Sequence, residues 1–312
     1  MAGVFNSLIS RTDADALIPE EISREIIQML PQQSFVLRHF RTVRMSQAQT
    51  RLPVLSALAS AYFVAEGGLK QTTEVNWGKA ALVPAEIAAI VPVPQAVIDD
   101  VSFDLWGEIK GPLTEAIGRA LDNMVLFGEA AEVPTGWSTG IVPAAIAAGN
   151  TVTAASDLLN ELGGPEGVMA AVENGGFEVN IFLASPTMKS ALRVLRSTDG
   201  VPIFAPSLQA NVPSTLWGQP IEYVTNGAWE DTAALLIAGD RRQAVIGIRQ
   251  DIQFKILDQA VIQDDTGTIV YNLAQQDMLA MRVTARFAFQ VPNPVTAMGG
   301  GYPFAVLVPG GS

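Results

Sequence analysis

Apolar side chains recur at Val101, Leu105, Ile109, Leu113, Ile117, Leu121, Met124 and Val125. Spaced mostly by four residues, they line one stripe of a helix, and the pattern predicts a long amphipathic helix over Asp99–Gly128. Ser102 suits the N-cap, Asp104 and Glu108 lie where the helix dipole favours negative charge, and Gly128 is a C-terminal stop. Gly111-Pro112 interrupts the pattern. Proline lacks the N–H that bonds back to Glu108, so a kink or two abutting helices are expected there.

Before this helix, Pro19–Leu30 is a short amphipathic piece carrying Ile22, Ile26, Ile27 and Leu30 on one face. Residues 52–93 are rich in small and β-prone side chains and are broken by Gly67-Gly68, which predicts a long two-stranded excursion. An isolated hairpin is only marginally stable, so this one is expected to lie on something else.

After the helix, the Pro-, Gly- and Thr-rich stretch to Asn150 reads as a loop with short strands. Residues 156–174 read as helical with a break near Gly163-Gly164-Pro165, and Asn180–Ser185 as a buried strand. Ser185-Pro186 opens a further helix through Met188, Leu192 and Leu195, closed by Asp199-Gly200. Over 201–260 the runs IEYV, ALLIAG, AVIGIR and IQFKIL, separated by turn signals such as Asn226-Gly227, predict a small sheet-bearing domain. Strict alternation of Leu279, Met281, Val283, Ala285, Phe287, Phe289 and Val291 makes 279–291 the clearest strand. The Gly- and Pro-rich tail from Gly299 is expected to be lightly structured.

Composition changes this picture in two ways. Charged residues make up only 16% of a 312-residue chain that is 49% hydrophobic, against roughly 25% charged in an average soluble domain. The deficit suggests a surface covered by partners. The net charge of −12 disfavours general nucleic-acid binding, which needs clustered Lys and Arg, so no sequence-specific nucleic-acid contact is expected. One stretch runs against the balance. No acidic residue occurs from Ile26 to Ala65, while Arg38, Arg41, Arg44 and Arg51 accumulate there, as a basic arm meeting an acidic partner or as a solvated stretch.

The N-terminus has no basic region ahead of an apolar run, so no secretory signal is expected, and the apolar tract over 80–98 carries Glu86 and three prolines, which rules against a membrane span. There is no cysteine, hence no disulfide, zinc-thiolate site or cysteine nucleophile.

Gly136-Trp137-Ser138-Thr139-Gly140 matches the G-x-S-x-G nucleophile elbow letter for letter. The serine needs a histidine to take its proton, and the single histidine, His39, lies far upstream between Arg38 and Arg41. A plain turn is the favoured reading, with a serine hydrolase as the remote alternative. The acidic pairs Glu20-Glu21, Asp99-Asp100 and Asp264-Asp265 lack calcium-loop spacing, and Gly78-Lys79 is followed by Ala80 rather than Ser or Thr, so no P-loop is present. No catalytic residue, metal or cofactor is expected. The five tryptophans read as packing or interface anchors.

Taken in order, the pattern-poor start, the excursion AYFVAEGGLKQTTEVNWGKAAL, the return strand IAAIVPVPQAVIDD, the helix ending RALDNMVLFGE, then PTGWSTGIV, SPTMKSALRVLRSTDGVPIF, LWGQPIEYV, LLIAGDRRQAVIGIRQDIQFKI and DMLAMRVTARFAFQVPNPVTAM resemble the major capsid proteins of tailed bacteriophages. The resemblance covers nearly the whole chain and implies an α+β, Hong Kong 97-like (HK97-like) capsid fold.

On that resemblance, residues 1–50 are an N-terminal arm, 51–93 an extended β-hairpin loop lying on a neighbour, 94–205 with 278–312 a peripheral domain containing the long spine helix, and 206–277 an axial domain. It implies pentamers and hexamers closing into an icosahedral shell around double-stranded DNA, assembled in the host bacterial cytoplasm, with portal, scaffolding and decoration proteins as further partners. The chain starts close to the arm, so any scaffold is expected as a separate protein. Some relatives join subunits through a lysine–asparagine bond; Lys70 and Lys79 lie in the matching loop, but no partner motif is found and cross-linking is not expected. Glu66, Lys70 and Trp77, with Arg38, Arg41 and Arg44, are the expected inter-subunit contacts. An encapsulin-type nanocompartment shell is the nearest alternative.

Overall fold

A computed structural model of the chain describes residues 34–59, 61, 63–64, 69–70, 72–73, 75–101, 104–130, 133–155, 157–195, 215–264, 266–298 and 300–310. Pro19–Leu30, Glu66, Gly67-Gly68, Ser102 and Asp199-Gly200 lie outside them.

In chain order the elements are α1 (Phe35–His39), β1 (Arg41–Arg44), β2 (Thr50–Ala57), β3 (Asn76–Leu82), β4 (Ala85–Pro94), α2 (Gln95–Asp100) and α3 (Leu105–Phe127). Then follow α4 (Ile141–Ala147), β5 (Thr151–Thr153), α5 (Leu158–Gly163), α6 (Val168–Asn174), β6 (Ile181–Ala184) and α7 (Met188–Val194). The remainder is strand: β7 (Thr215–Leu216), β8 (Gln219–Tyr223), β9 (Leu236–Gly239), β10 (Val245–Leu257), β11 (Val261–Gln263), β12 (Ile269–Asn272), β13 (Met278–Gln290) and β14 (Phe304–Val308).

The described residues form two compact units, one of Glu86–Gly118 and Gln250–Arg286, the other of Ser34–Ala85, Arg119–Arg249 and Phe287 onward. The division falls inside α3, β10 and β13.

The larger unit is built on a six-stranded mixed sheet in the order β5-β14-β9-β6-β8-β7. Strands β6, β9 and β14 read IFLA, LIAG and FAVLV, unbroken apolar runs of the kind required when both faces of a strand are covered. Leu162, Val168, Val172, Met188 and Leu192 from α5, α6 and α7 pack on Phe182, Leu236, Ala238 and Leu307. Strand β14 corrects the expectation of a lightly structured tail: it pairs antiparallel with β9 and parallel with β5. Its five-residue apolar run outweighs the flanking glycines. The sheet draws β5, β6 and β14 from 94–205 with 278–312, and β7, β8 and β9 from 206–277.

In the smaller unit, Val93, Val97 and Leu105 pack with Trp106 and Ile109. The β11–β12 hairpin closes over Leu273, Met278 and Ala280. A four-stranded sheet has the order β1-β10-β13-β4, with β1 pairing parallel with Val245–Ile248 of β10 in the larger unit. β10 is continuous where two strands were expected, because Arg249-Gln250-Asp251 offers neither Gly nor Pro to turn the chain.

The long helix is also corrected. The pattern held for its buried stripe, since Leu105, Leu113, Ile117, Leu121, Met124 and Val125 are all buried. But the break falls after α2, where Val101 is extended, and α3 runs uninterrupted through Pro112. A mid-helix proline costs about 3 kcal/mol, and burying Leu113 and Ile117 on the next turn returns about 1.5–3 kcal/mol each. Asp104 stands immediately ahead of α3, its carboxylate lying over Gly107, where a Cβ would come within 2.7 Å of Oδ2. Gly128 ends the helix as expected, with φ +73° and its N–H donating to the Met124 carbonyl at 3.0 Å. Residues 141–147 form α4 in place of the expected short strands.

Candidate assembly surface

Strands β2 and β3 form an antiparallel hairpin in the register Thr50↔Leu82, Leu52↔Ala80, Val54↔Gly78 and Leu55↔Trp77. The expected second strand does not run on to residue 93. It stops at Leu82, and after Val83-Pro84 the chain enters β4 and joins the four-stranded sheet instead. Among the hairpin's described residues burial is confined to the root, where Leu82 and Leu52 pack with Met45, Val245, Ala288 and Val43. Away from the root the apolar side chains face outward, with Trp77 66% exposed, Leu69 92%, and Leu58, Phe63, Val64 and Val75 also exposed. Six large exposed apolar side chains within residues 58–77 make this stretch the candidate contact surface.

The root is clamped by the segment that resembles a nucleophile elbow. Gly136, at φ +84°, sits so close to Val83 that a Cβ would meet its Cγ2 at 3.0 Å. The Trp137 indole N–H donates to the Val83 carbonyl at 2.9 Å, and its ring meets Phe289 edge-on with centroids 6.3 Å apart. The Ser138 hydroxyl accepts from the Val291 N–H at 3.0 Å. Gly140 packs so tightly that a Cβ would overlap the backbone of Gly128. This is a structural turn.

His39 stacks on Phe35 at 4.3 Å between centroids, with Nε2 buried. Burial holds its pKa below the ordinary value, with Arg38 and Arg241 adding to the effect and Glu222 opposing it.

Of the other expected contact residues, Lys70, Arg38, Arg41 and Arg44 are exposed, the last two on β1 at one edge of the four-stranded sheet. Among the described residues no acid or histidine cluster could hold a metal ion, and no helix is long and apolar enough to cross a membrane.

One residue escaped the sequence reading. Asp122, on α3, is 0% exposed, and its carboxylate accepts from Ser34 Oγ at 2.5 Å, Phe35 N at 2.8 Å, Val36 N at 3.0 Å and Asn226 Nδ2 at 2.5 Å. Burial raises its pKa above the ordinary carboxylate value, and the four donors offset only part of that. Its sole signal in the sequence is a charge one residue off the apolar stripe.

The model of the phage capsid family matches residues 14–298. This chain belongs to the phage capsid family. A relative described as "Probable major capsid protein gp17", from Mycobacterium phage L5, is 22% identical over 262 residues, covering 82% of this chain and 80% of that protein. Among solved structures, a chain of Microbacterium phage Oxtober96 is 36% identical with a TM-score of 0.80, covering 97% of this chain and 100% of that one. A chain of Mycobacterium phage Adephagia is 34% identical with a TM-score of 0.81, covering 98% and 99%. The mixed helix-and-sheet fold is therefore HK97-like, and the chain is a major capsid protein of a tailed phage, a reading supported over the encapsulin and serine hydrolase alternatives.

Proposed function

We propose that this capsid protein closes into an icosahedral head of pentamers and hexamers around double-stranded DNA, assembled in the host bacterial cytoplasm, with portal, scaffolding and decoration proteins as further partners. The observation that carries this reading is the hairpin, whose root is buried in its own unit while Leu58, Leu69, Val75 and Trp77 project without cover among the described residues. Residues 1–50 act as the arm and the loop from 51 to 93 carries the hairpin onto a neighbour. Residues 94–205 with 278–312 supply the peripheral domain around the spine helix, and 206–277 the axial domain, whose sheet also recruits β5, β6 and β14.

Trp77, Lys70 and Glu66 on the loop and Arg38, Arg41 and Arg44 beside it are the proposed inter-subunit contacts. The arginines suit an acidic surface, in keeping with a subunit of net charge −12. An acidic wall also suits a container for DNA, since one that bound phosphates tightly would hinder packaging. Negative-stain microscopy of the purified protein tests the reading: closed shells are expected, and a protein that remained monomeric at all concentrations would overturn it.

A further inference from the structure

We propose that Asp122 is the catch of a releasable arm root: its carboxylate holds Ser34–His39 to the spine helix and to the Asn226 turn, so that α1 can be freed as a unit while the six-stranded sheet stays intact. This rests on the reading of the residues up to 50 as an arm.

Packing holds part of this segment, since Phe35 and Val36 are buried and Phe40 meets Phe304 of β14 with ring centroids 6.1 Å apart, but the first turn of α1 is fixed by hydrogen bonds to Asp122. A helix of five residues cannot sustain itself, because nucleation is unfavourable and isolated helices need on the order of 12–15 residues. α1 is therefore held from outside. Three of the groups bonded to Asp122, the Ser34 hydroxyl and the N–H groups of Phe35 and Val36, lie at its first turn, where the backbone donors have no partner inside the helix. Ser34 also caps the helix, accepting from the Leu37 N–H at 3.3 Å.

The fourth donor, the Asn226 amide, comes from the turn that leads to Trp229, and Asn226 Oδ1 in turn accepts from the Ala228 N–H at 3.1 Å. One side chain thus joins three segments distant in sequence. All four partners are neutral donors, so the buried charge is balanced by hydrogen bonds alone, which fail together if one segment moves. The sheet core of β6, β9 and β14 contains none of these groups.

Hydrogen–deuterium exchange on the full-length, dissociated subunit tests the catch, with shell formation scored separately by microscopy. Asp122→Asn presents an amide N–H₂ to a nest of donors. Exchange at 35–37 and 226–228 is expected to rise at least tenfold, with β6, β9 and β14 unchanged. Ser34→Ala is expected to loosen both 35–37 and 226–228, by less than Asp122→Asn does. Unchanged exchange at 35–37 in Asp122→Asn, or equal loosening of the whole sheet, overturns the proposal. If Asp122→Asn does not fold, the Ser34→Ala/Asn226→Ala pair decides: increased exchange confined to the two segments supports the catch, and wild-type exchange there refutes it. A wild-type protein that forms no shells removes the assembly reading but leaves the exchange result standing by itself.

Discussion

The indole N–H of Trp137 donates to the carbonyl of Val83 at 2.9 Å, tying the turn after the spine helix to the last residue before Pro84 and β4. That bond and the Ser138 hydroxyl's bond to the Val291 N–H give the whole GWSTG segment a mechanical role. Trp137→Phe keeps most of the ring's packing on Phe289 but strips the carbonyl of its donor. It is expected to cost about 1–2 kcal/mol in chemical denaturation. Ser138→Ala removes one acceptor and is expected to cost about 1 kcal/mol, with any trace of ester hydrolysis in the preparation unchanged. Hydrolysis lost with the hydroxyl would contradict the structural role.

Exposure separates folding from assembly at Trp77. Being 66% exposed, it supports its own subunit little, and Trp77→Ala is expected to leave subunit stability within about 0.5 kcal/mol of wild type. A buried interface tryptophan contributes about 2 kcal/mol, so the protein concentration needed for shell formation is expected to rise roughly thirtyfold, read by light scattering. A destabilised subunit with unaltered assembly would reverse the assignment.

These two residues show how far the sequence could be read. The hairpin that carries Trp77 was legible as extended chain from its small and β-prone side chains and the Gly67-Gly68 break. The stripe of α3 and the alternation of β13 were legible because one-face burial imprints itself on spacing, and β6 because a strand covered on both faces reads as an unbroken apolar run. β14 was misjudged because glycines and prolines around Phe304–Val308 mark the ends of a strand as readily as they mark a loop. The continuity of α3 through Pro112 was not legible, because the proline's local cost is written in the sequence and the burial that outweighs it is not. The role of Asp122 depends on Ser34 and Asn226, which lie 88 and 104 residues away in sequence, and no local pattern carries that information.

Two glycines separate steric crowding from backbone conformation. At Gly140 a Cβ would overlap the Gly128 backbone, which cannot yield without moving the end of α3; Gly140→Ala is expected to cost about 3 kcal/mol and to lower soluble yield. At Gly149 nothing lies within 4 Å, but φ is +78°, so Gly149→Ala is expected to cost about 1–2 kcal/mol through conformation alone. Melting temperatures of the two variants should rank in that order, and equal shifts would mean that the α3–α4 junction is looser than its geometry indicates.

His39 is expected to make α1 sensitive to acid. Its folded pKa lies below the ordinary value of 6.5, chiefly because the ring is partly buried against Phe35, with Arg38 and Arg241 also opposing a positive charge and Glu222 favouring one. The unfolded chain therefore binds a proton more readily than the native one. The stability this contributes is fully present above about pH 6.5 and is lost as pH falls from there through the folded value. Melting of the dissociated subunit followed from pH 8 to pH 5 is expected to show a decline that begins near 6.5, and His39→Phe, which keeps the stack on Phe35 without a titrating ring, should flatten that part of the curve. Persistence of the same decline in His39→Phe would assign it to carboxylates elsewhere and leave the imidazole a purely packing group.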